Sequence, residues 1–182
     1  MNEKQFNLPE NFLSERQKQE HIKLYRGYVE KVNSTGERIK NADPEKDDFR
    51  ALRLTETFVT AGMKLHELYF EELGKGGFEG RIREMIKNKW KNFENFKKSF
   101  IATALAMRGW VVLCNDRDLK RLKIYGSDMH DIAVWNCKPL LVLDVYEHAY
   151  FIDYGTNKKQ YIEDFFENIN WEIINSRLKD EE

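Results

Sequence analysis

Hydrophobic spacing changes character near Met107, from a helical first half to a mixed second half, and that change limits the fold more than any other feature of the sequence. Before it, apolar residues recur at three- and four-residue intervals. After it come short β-rich runs, GWVVLCN, RLKIYG and PLLVLDV, before helical spacing returns near the end of the chain. The first spacing belongs to helices and the second to strands, because a side chain returns to one face about every 3.6 residues on a helix and about every two on a strand.

From Ser14, SERQKQEHIKLYRGYVEKVN opens with a capping pair, Ser14 and Gln17, and lines His21, Leu24, Tyr25, Tyr28 and Val32 along one face. The polar stretch NSTGERIKNADPEKDD follows. In it Asp43 and Pro44 form an N-cap and first-turn pair for a second long helix, DFRALRLTETFVTAGMKLHELYFEEL, with a bend expected near Gly62 and a stop at GKGG. Two long helices joined by a loop suggest an antiparallel hairpin. EGRIREMIKNKW and NFENFKKSFIATALAM read as shorter helices, and the polar link DRDLK makes the first two strands a hairpin with PLLVLDV as a third. A last helix is expected from about Lys158 to Leu178. The expected class is α+β: an N-terminal antiparallel helical hairpin over residues 1–77, and a C-terminal α/β domain with a three-stranded antiparallel sheet over residues 78–182.

At 182 residues the chain has room for one packed domain or two small ones sharing an interface. Its 30 Lys and Arg balance 31 Asp and Glu, so no broad basic field exists to hold nucleic acid or anionic lipid. No run approaches the roughly 20 apolar residues that span a bilayer, and MNEKQFNLPENF lacks the apolar centre of a secretory signal. A soluble, cytoplasmic protein is expected. Cys114 and Cys137 form no CxxC pair and read as reduced, packed thiols, not as a disulfide or a zinc site.

The four histidines, His21, His66, His130 and His148, fall one in each structural region. A lone histidine among apolar residues is more often a packed core residue than a ligand. His148 carries more weight, because Asp144 lies four residues before it in LLVLDVYEHAY, at the end of a continuous apolar strand. A carboxylate buried there without a partner costs several kcal/mol or a large pKa shift. Imidazole nitrogens with one carboxylate, in an apolar and aromatic setting, form a ligand set for redox-active mononuclear iron or manganese, and zinc would accept it as well. Spacing alone leaves a structural Asp144–His148 hydrogen bond equally open.

Residues 144–174, DVYEHAYFIDYGTNKKQYIEDFFENINWEII, resemble the C-terminal signature of the iron/manganese superoxide dismutase family, D-x-W-E-H-A-Y followed by a helix ending in N-W. HIKLYRGYV resembles that family's first ligand helix and AGMKLHELYF its second. NFENFKKSFIATALAMRGWVVL resembles the helix and strand that carry its F-x-x-x-F and G-W elements. The resemblance implies one iron or manganese per chain between the two domains, held by His21, His66, Asp144 and His148 with a solvent molecule as fifth ligand. It implies disproportionation of superoxide, one molecule leaving as dioxygen and the next as peroxide. It also makes Tyr28 the tyrosine of the substrate funnel, Trp110 a wall of the pocket, and Glu147 the residue that bonds a ligand histidine across a homodimer interface.

Several positions depart from the family pattern. Tyr28 stands seven residues after His21 where eight are usual, and an ungapped alignment would put Glu20 at the ligand position, although His21 matches both residue type and face. The glutamine that bonds the solvent ligand in most members is missing from both usual positions, one of them taken by Gly62, and His130 is assigned its role. Phe151 replaces the tyrosine that pairs with a histidine of the other subunit, Tyr25 being the nearest match to that histidine. Val112 stands where a second pocket tryptophan is common. Val142, two residues before Asp144, is neither the glycine of manganese members nor the threonine of iron members, and its bulk slightly favours iron. A superoxide dismutase is the leading reading. A dismutase-like oxidoreductase with another substrate, or a non-catalytic relative, are the alternatives.

Overall fold

The computed structural model describes residues 1–179 and opens, after an extended N-terminal segment, with helix α1 (Glu15–Lys40). The Ser14 side chain accepts a hydrogen bond from the Gln17 N–H at 3.1 Å, a cap worth about 1 kcal/mol. The helix does not stop at the polar stretch after Val32 but runs through it to Lys40. NSTGERIK forms its last turns, mostly solvated apart from the buried Thr35, and Asn41 closes the helix by donating from its side chain to the Glu37 carbonyl. Helix α2 (Asp47–Glu71) starts later than the Asp43–Pro44 pair, which instead makes a turn in which the Asp43 carboxylate accepts from the Glu45 N–H. α2 remains helical through Gly62.

The two helices form the expected antiparallel hairpin: His21 meets His66, Tyr25 meets Glu67 and Phe70, and Tyr28 meets Gly62. The buried stripe of α1 runs through Gln17, His21, Tyr25 and Val29 at four-residue spacing, with Thr35 buried further along the helix. Leu24, Tyr28 and Val32 sit half-buried on its flank.

Helices α3 (Gly80–Trp90) and α4 (Phe93–Ala106) lead into a three-stranded antiparallel sheet of β1 (Trp110–Asp116), β2 (Arg121–Ser127) and β3 (Cys137–Asp144), in the order β2-β1-β3. This register sets Trp110 opposite Asp144. Gly109, just before β1, lets the chain pass close to the end of β2, since a Cβ there would lie 2.6 Å from the Ser127 carbonyl oxygen and 2.9 Å from the Asp128 backbone carbon. A 3₁₀ turn (Glu147–Ala149) and helix α5 (Phe151–Tyr154) follow.

The last helix expected from sequence is two, α6 (Lys158–Phe166) and α7 (Trp171–Lys179). Backbone pairing breaks it. The Gly74 N–H donates to the Asn168 carbonyl, the Asn170 N–H donates to the Glu72 carbonyl, and Leu73 bridges Ile169, so the chain leaving α2 finds partners that a continuous helix would deny it. Cys114 and Cys137 are free thiols. No helix among the described residues is long and apolar enough to cross a membrane.

A buried ion pair ties the hairpin to the sheet. Glu72, fully buried, accepts from Arg177 Nη1 at 2.5 Å and from the Val142 N–H at 2.7 Å, while Arg177 also donates to the Leu140 and Leu68 carbonyls. Burial pushes the Glu72 carboxyl up, to about 8, and Arg177 pulls against it. With a donor on each oxygen, the ionised form is the better partner. Removing one partner of such a pair strands the other charge. Arg177→Met should therefore lower unfolding stability by about 3 to 5 kcal/mol in urea titration, and a loss within the error of the titration would contradict the assignment.

Candidate metal centre

Asp144 is the last residue of β3, and its side chain is buried completely. Three imidazoles reach it from three elements: His21 from α1, His66 from α2 and His148 from the 3₁₀ turn. Their Nε2 atoms lie 3.2, 3.4 and 3.1 Å from the same oxygen, Asp144 Oδ2. The four ligand-type atoms all fall within 4.8 Å of one another. Sequence spacing left the choice between His21 and Glu20 open; Glu20 is exposed and His21 is in the cluster.

His66, Asp144 and His148 are each held by a further contact, whereas His21 Nδ1 is buried without a hydrogen-bond partner among the described residues. His66 Nδ1–H donates to the Gly62 carbonyl at 2.6 Å, which leaves Nε2 as the lone-pair atom. That Nε2 is buried and has no hydrogen-bond partner among the described residues. A lone pair and a carboxylate oxygen facing each other at 3.4 Å in a dry interior repel unless a cation lies between them, so this donor set fits a metal ion. Asp144 Oδ1 accepts from the Tyr146 N–H, and the Asp144 carbonyl accepts from the Tyr161 hydroxyl. Gln17 donates to the His148 carbonyl at 2.6 Å and accepts from the Ile152 N–H at 3.0 Å, fastening the turn that carries His148 onto α1.

Burial lowers His21 below the ordinary imidazole value despite the pull of Asp144, and lowers His66 to about 3. For His148 burial works the same way, but the Asp144 charge outweighs it and the net shift is upward. Burial would raise Asp144. The His148 and His21 rings overcome it and hold the carboxyl well below its usual range.

Around the cluster stands an aromatic layer. Trp110, fully buried, meets His66 edge-on at 5.1 Å and donates its indole N–H to His130 Nδ1 at 2.8 Å. His130 Nε2 lies 2.6 Å from the Tyr28 hydroxyl. His130 is thus drawn inward and packed by Phe58 and Tyr146, while Met129, Ile132 and Trp135 around it are exposed. Gly62 is needed here: a Cβ would stand 2.9 Å from the Tyr28 ring. A cavity of about 750 Å³, lined in part by Glu20, Tyr28, Glu147, His148 and Phe151, opens beside the cluster, and the His148 side chain is 32% exposed.

Glu147 is exposed next to His148. Val142 is buried on β3 opposite Val112, two positions from Asp144 and therefore on the same face of the strand. Tyr25, the nearest match in sequence to the family's subunit-bridging histidine, is not part of the cavity. It lies in the core, its hydroxyl donating to Glu67 and accepting from the Lys4 N–H, because it belongs to the buried stripe of α1 and not to the flank that meets the cavity. Gln17, Phe58, Tyr146 and Tyr161 were not foreseen. For Gln17 a signal existed in its four-residue spacing to His21, masked by its place in the capping pair.

The family model for iron/manganese superoxide dismutases, C-terminal domain, matches residues 78–177. Among curated proteins, an iron superoxide dismutase of Aquifex aeolicus is 36% identical, covering 94% of this chain and 87% of its own length. A manganese superoxide dismutase of Haloarcula marismortui is 33% identical over 84% of this chain and 78% of its own length. A superoxide dismutase of Aeropyrum pernix, named for manganese or iron, is 32% identical over 92% of this chain and 83% of its own length.

The shifted groups predict the acid behaviour of the metal-free protein. In the unfolded chain the histidines titrate near their ordinary value of about 6.5; folded His66 takes its proton only near 3, and His21 is lowered as well. Below about 6.5 the unfolded state therefore binds more protons, and stability falls as pH falls. Asp144, depressed when folded, adds a loss in the same direction at lower pH. His148 opposes them, since its raised value stabilises below about 6.5 and that contribution fades as pH rises. The urea midpoint should drop between about pH 7 and about pH 4, and a midpoint that rises on acidification would contradict this balance.

Proposed function

This chain belongs to the iron/manganese superoxide dismutase family, and we propose that it is itself a superoxide dismutase with one iron or manganese per chain. The observation that carries the reading is the convergence of three imidazole Nε2 atoms on one buried carboxylate oxygen, with the His66 lone pair facing it unpartnered. His21, His66, Asp144 and His148 would hold the ion. Bound there, it supplies the one-electron chemistry by which one superoxide is oxidised to dioxygen and another, with two protons, is reduced to hydrogen peroxide.

The residues of the chain do the rest. Arg16, Lys23 and Lys31 outnumber Glu20 and Glu147 around the cavity, a bias that favours entry of a small anion. Trp110, Phe70, Tyr69 and Tyr146 keep the cluster in an apolar surround, where the charge of a bound ion is screened little. His66 and His21 stay neutral near pH 7 and so keep their lone pairs available. Val142, buried beside the Asp144 position, supports a slight preference for iron. The free thiols of Cys114 and Cys137 fit a cytoplasmic location.

The protein loaded separately with iron and with manganese should consume superoxide, at least as fast with iron. Asp144→Ala should retain neither metal, because it removes the one anionic donor. Absence of superoxide consumption with both metals would overturn the reading.

We read the assembly as a homodimer. Phe151 and Ile152 are 47% and 44% exposed at the cavity rim, next to Glu147 and the half-buried His148 ring, and such an apolar rim beside an unfinished pocket suits a second copy of the chain. A Glu147 carboxylate of the other copy would then accept the remaining N–H of His148. Sedimentation at micromolar concentration should give a dimer; a monomer with its metal bound would contradict it.

A further inference from the structure

Three tyrosine rings run in file from the ligand cluster toward the surface. Tyr69 on α2 packs 5.3 Å from the His21 ring, Tyr161 on α6 meets Tyr69 hydroxyl to hydroxyl at 3.0 Å, and Tyr154 at the end of α5 meets the Tyr161 ring edge-on at 5.6 Å. Tyr69 and Tyr161 are fully buried, Tyr154 is half-buried, and none of the three lines the cavity beside His148. Phenylalanine fills the places next to them, Phe12 stacked on Tyr161 and Phe165 on Tyr69. A phenol differs from those rings in one chemical respect: it gives up an electron readily when a base takes its proton.

The hydrogen bonds show where such a base stands. Tyr161 donates its one hydroxyl hydrogen to the Asp144 carbonyl at 2.9 Å, so Tyr69 donates to the Tyr161 oxygen. A carbonyl and a phenol are both poor proton acceptors. The Tyr154 hydroxyl instead donates to the Asp164 carboxylate at 2.9 Å, with the Phe12 carbonyl further off at 3.3 Å, and Gln160 holds the other Asp164 oxygen at 2.7 Å. A carboxylate can take the phenolic proton. Among the described residues Tyr25 and Tyr125 also donate to carboxylates, Glu67 and Asp116, but neither ring meets another tyrosine. Tyr25 rests on Phe6 and Phe70.

We propose that Tyr69, Tyr161 and Tyr154 form a relay that carries oxidising equivalents away from the metal centre, ending at Tyr154 with Asp164 as its proton acceptor. The proposal rests on the metal-centre reading, which puts hydrogen peroxide, the product of the proposed reaction, beside a redox ion. Peroxide that takes one electron from ferrous iron splits into hydroxide and a hydroxyl-radical equivalent. That equivalent takes one electron from the relay and one proton from solvent and becomes water. The electron vacancy moves through Tyr69 and Tyr161 to Tyr154, whose O–H bond breaks: its electron refills the relay, and its proton goes to Asp164 Oδ2. The outcome is a neutral Tyr154 radical and a protonated Asp164, at a half-buried site away from the ligands.

Electron paramagnetic resonance of the iron-loaded protein, frozen after mixing with hydrogen peroxide, tests this, with iron content checked in every variant. A tyrosyl radical should appear and should narrow when the protein carries ring-deuterated tyrosine. Tyr154→Phe should abolish it and Asp164→Asn should weaken it, whereas Tyr125→Phe, which removes a carboxylate-bonded tyrosine outside the file, should leave it unchanged. Peptide mass spectrometry after the same treatment should find more oxidised Trp110 in Tyr154→Phe than in the wild type. Iron-loaded wild type with no tyrosyl radical, a radical that survives Tyr154→Phe, or equal Trp110 oxidation in the two proteins would overturn the relay. A protein that retains no iron would remove the metal-centre reading and the relay with it. A Tyr154 radical in an iron-loaded protein without superoxide turnover would remove the dismutase reading alone and leave the relay standing.

Discussion

A carboxylate with no exposure to water, at the end of an apolar strand, is the constraint around which this molecule is arranged. Asp144 cannot be left there alone, since desolvating a charge costs several kcal/mol or more. Three imidazoles converge on it, yet they do not all satisfy it as hydrogen-bond donors. His66 has given its N–H to the Gly62 carbonyl and turns a lone pair toward the carboxylate. The cluster is complete as a cation site and incomplete as a hydrogen-bonded core, and that difference separates a metal centre from a structural Asp–His pair.

The surrounding fold follows from holding four short-range donors that come from distant parts of the chain. The α1–α2 hairpin supplies His21 and His66, and the central position of β1 puts Trp110 beside Asp144. Gln17 clamps the turn bearing His148 to α1, and Tyr161 from α6 fixes the Asp144 carbonyl. The Glu72–Arg177 pair joins the end of α2 to β3 and α7 through the Val142 N–H and the Leu140 carbonyl. A disturbance at that pair is passed along β3, two residues from the carboxylate.

Much of this was legible in the sequence, for identifiable reasons. Ser14 announced the start of α1, the β-rich runs announced the strands, and Asp144 four residues before His148 marked the centre. These signals are local: a cap, a period, a polar residue in an apolar run. What stayed hidden depends on distant partners. The break between α6 and α7 has no glycine or proline to mark it, because its cause is backbone pairing with residues 72–74. The extension of α1 through polar residues reads as a loop because a mostly solvated stretch of helix and a loop share a composition. The inward turn of His130 depends on the Trp110 N–H and the Tyr28 hydroxyl, which sequence spacing does not bring together.

The central claim is that one redox metal is held by His21, His66, Asp144 and His148 together. Anomalous X-ray diffraction from crystals of the metal-loaded protein, recorded at the iron and manganese edges, tests it most directly. The account predicts a single anomalous peak per chain, within bonding distance of the three Nε2 atoms and Asp144 Oδ2. A peak elsewhere in the molecule, or none at this position in a protein that consumes superoxide, would contradict it.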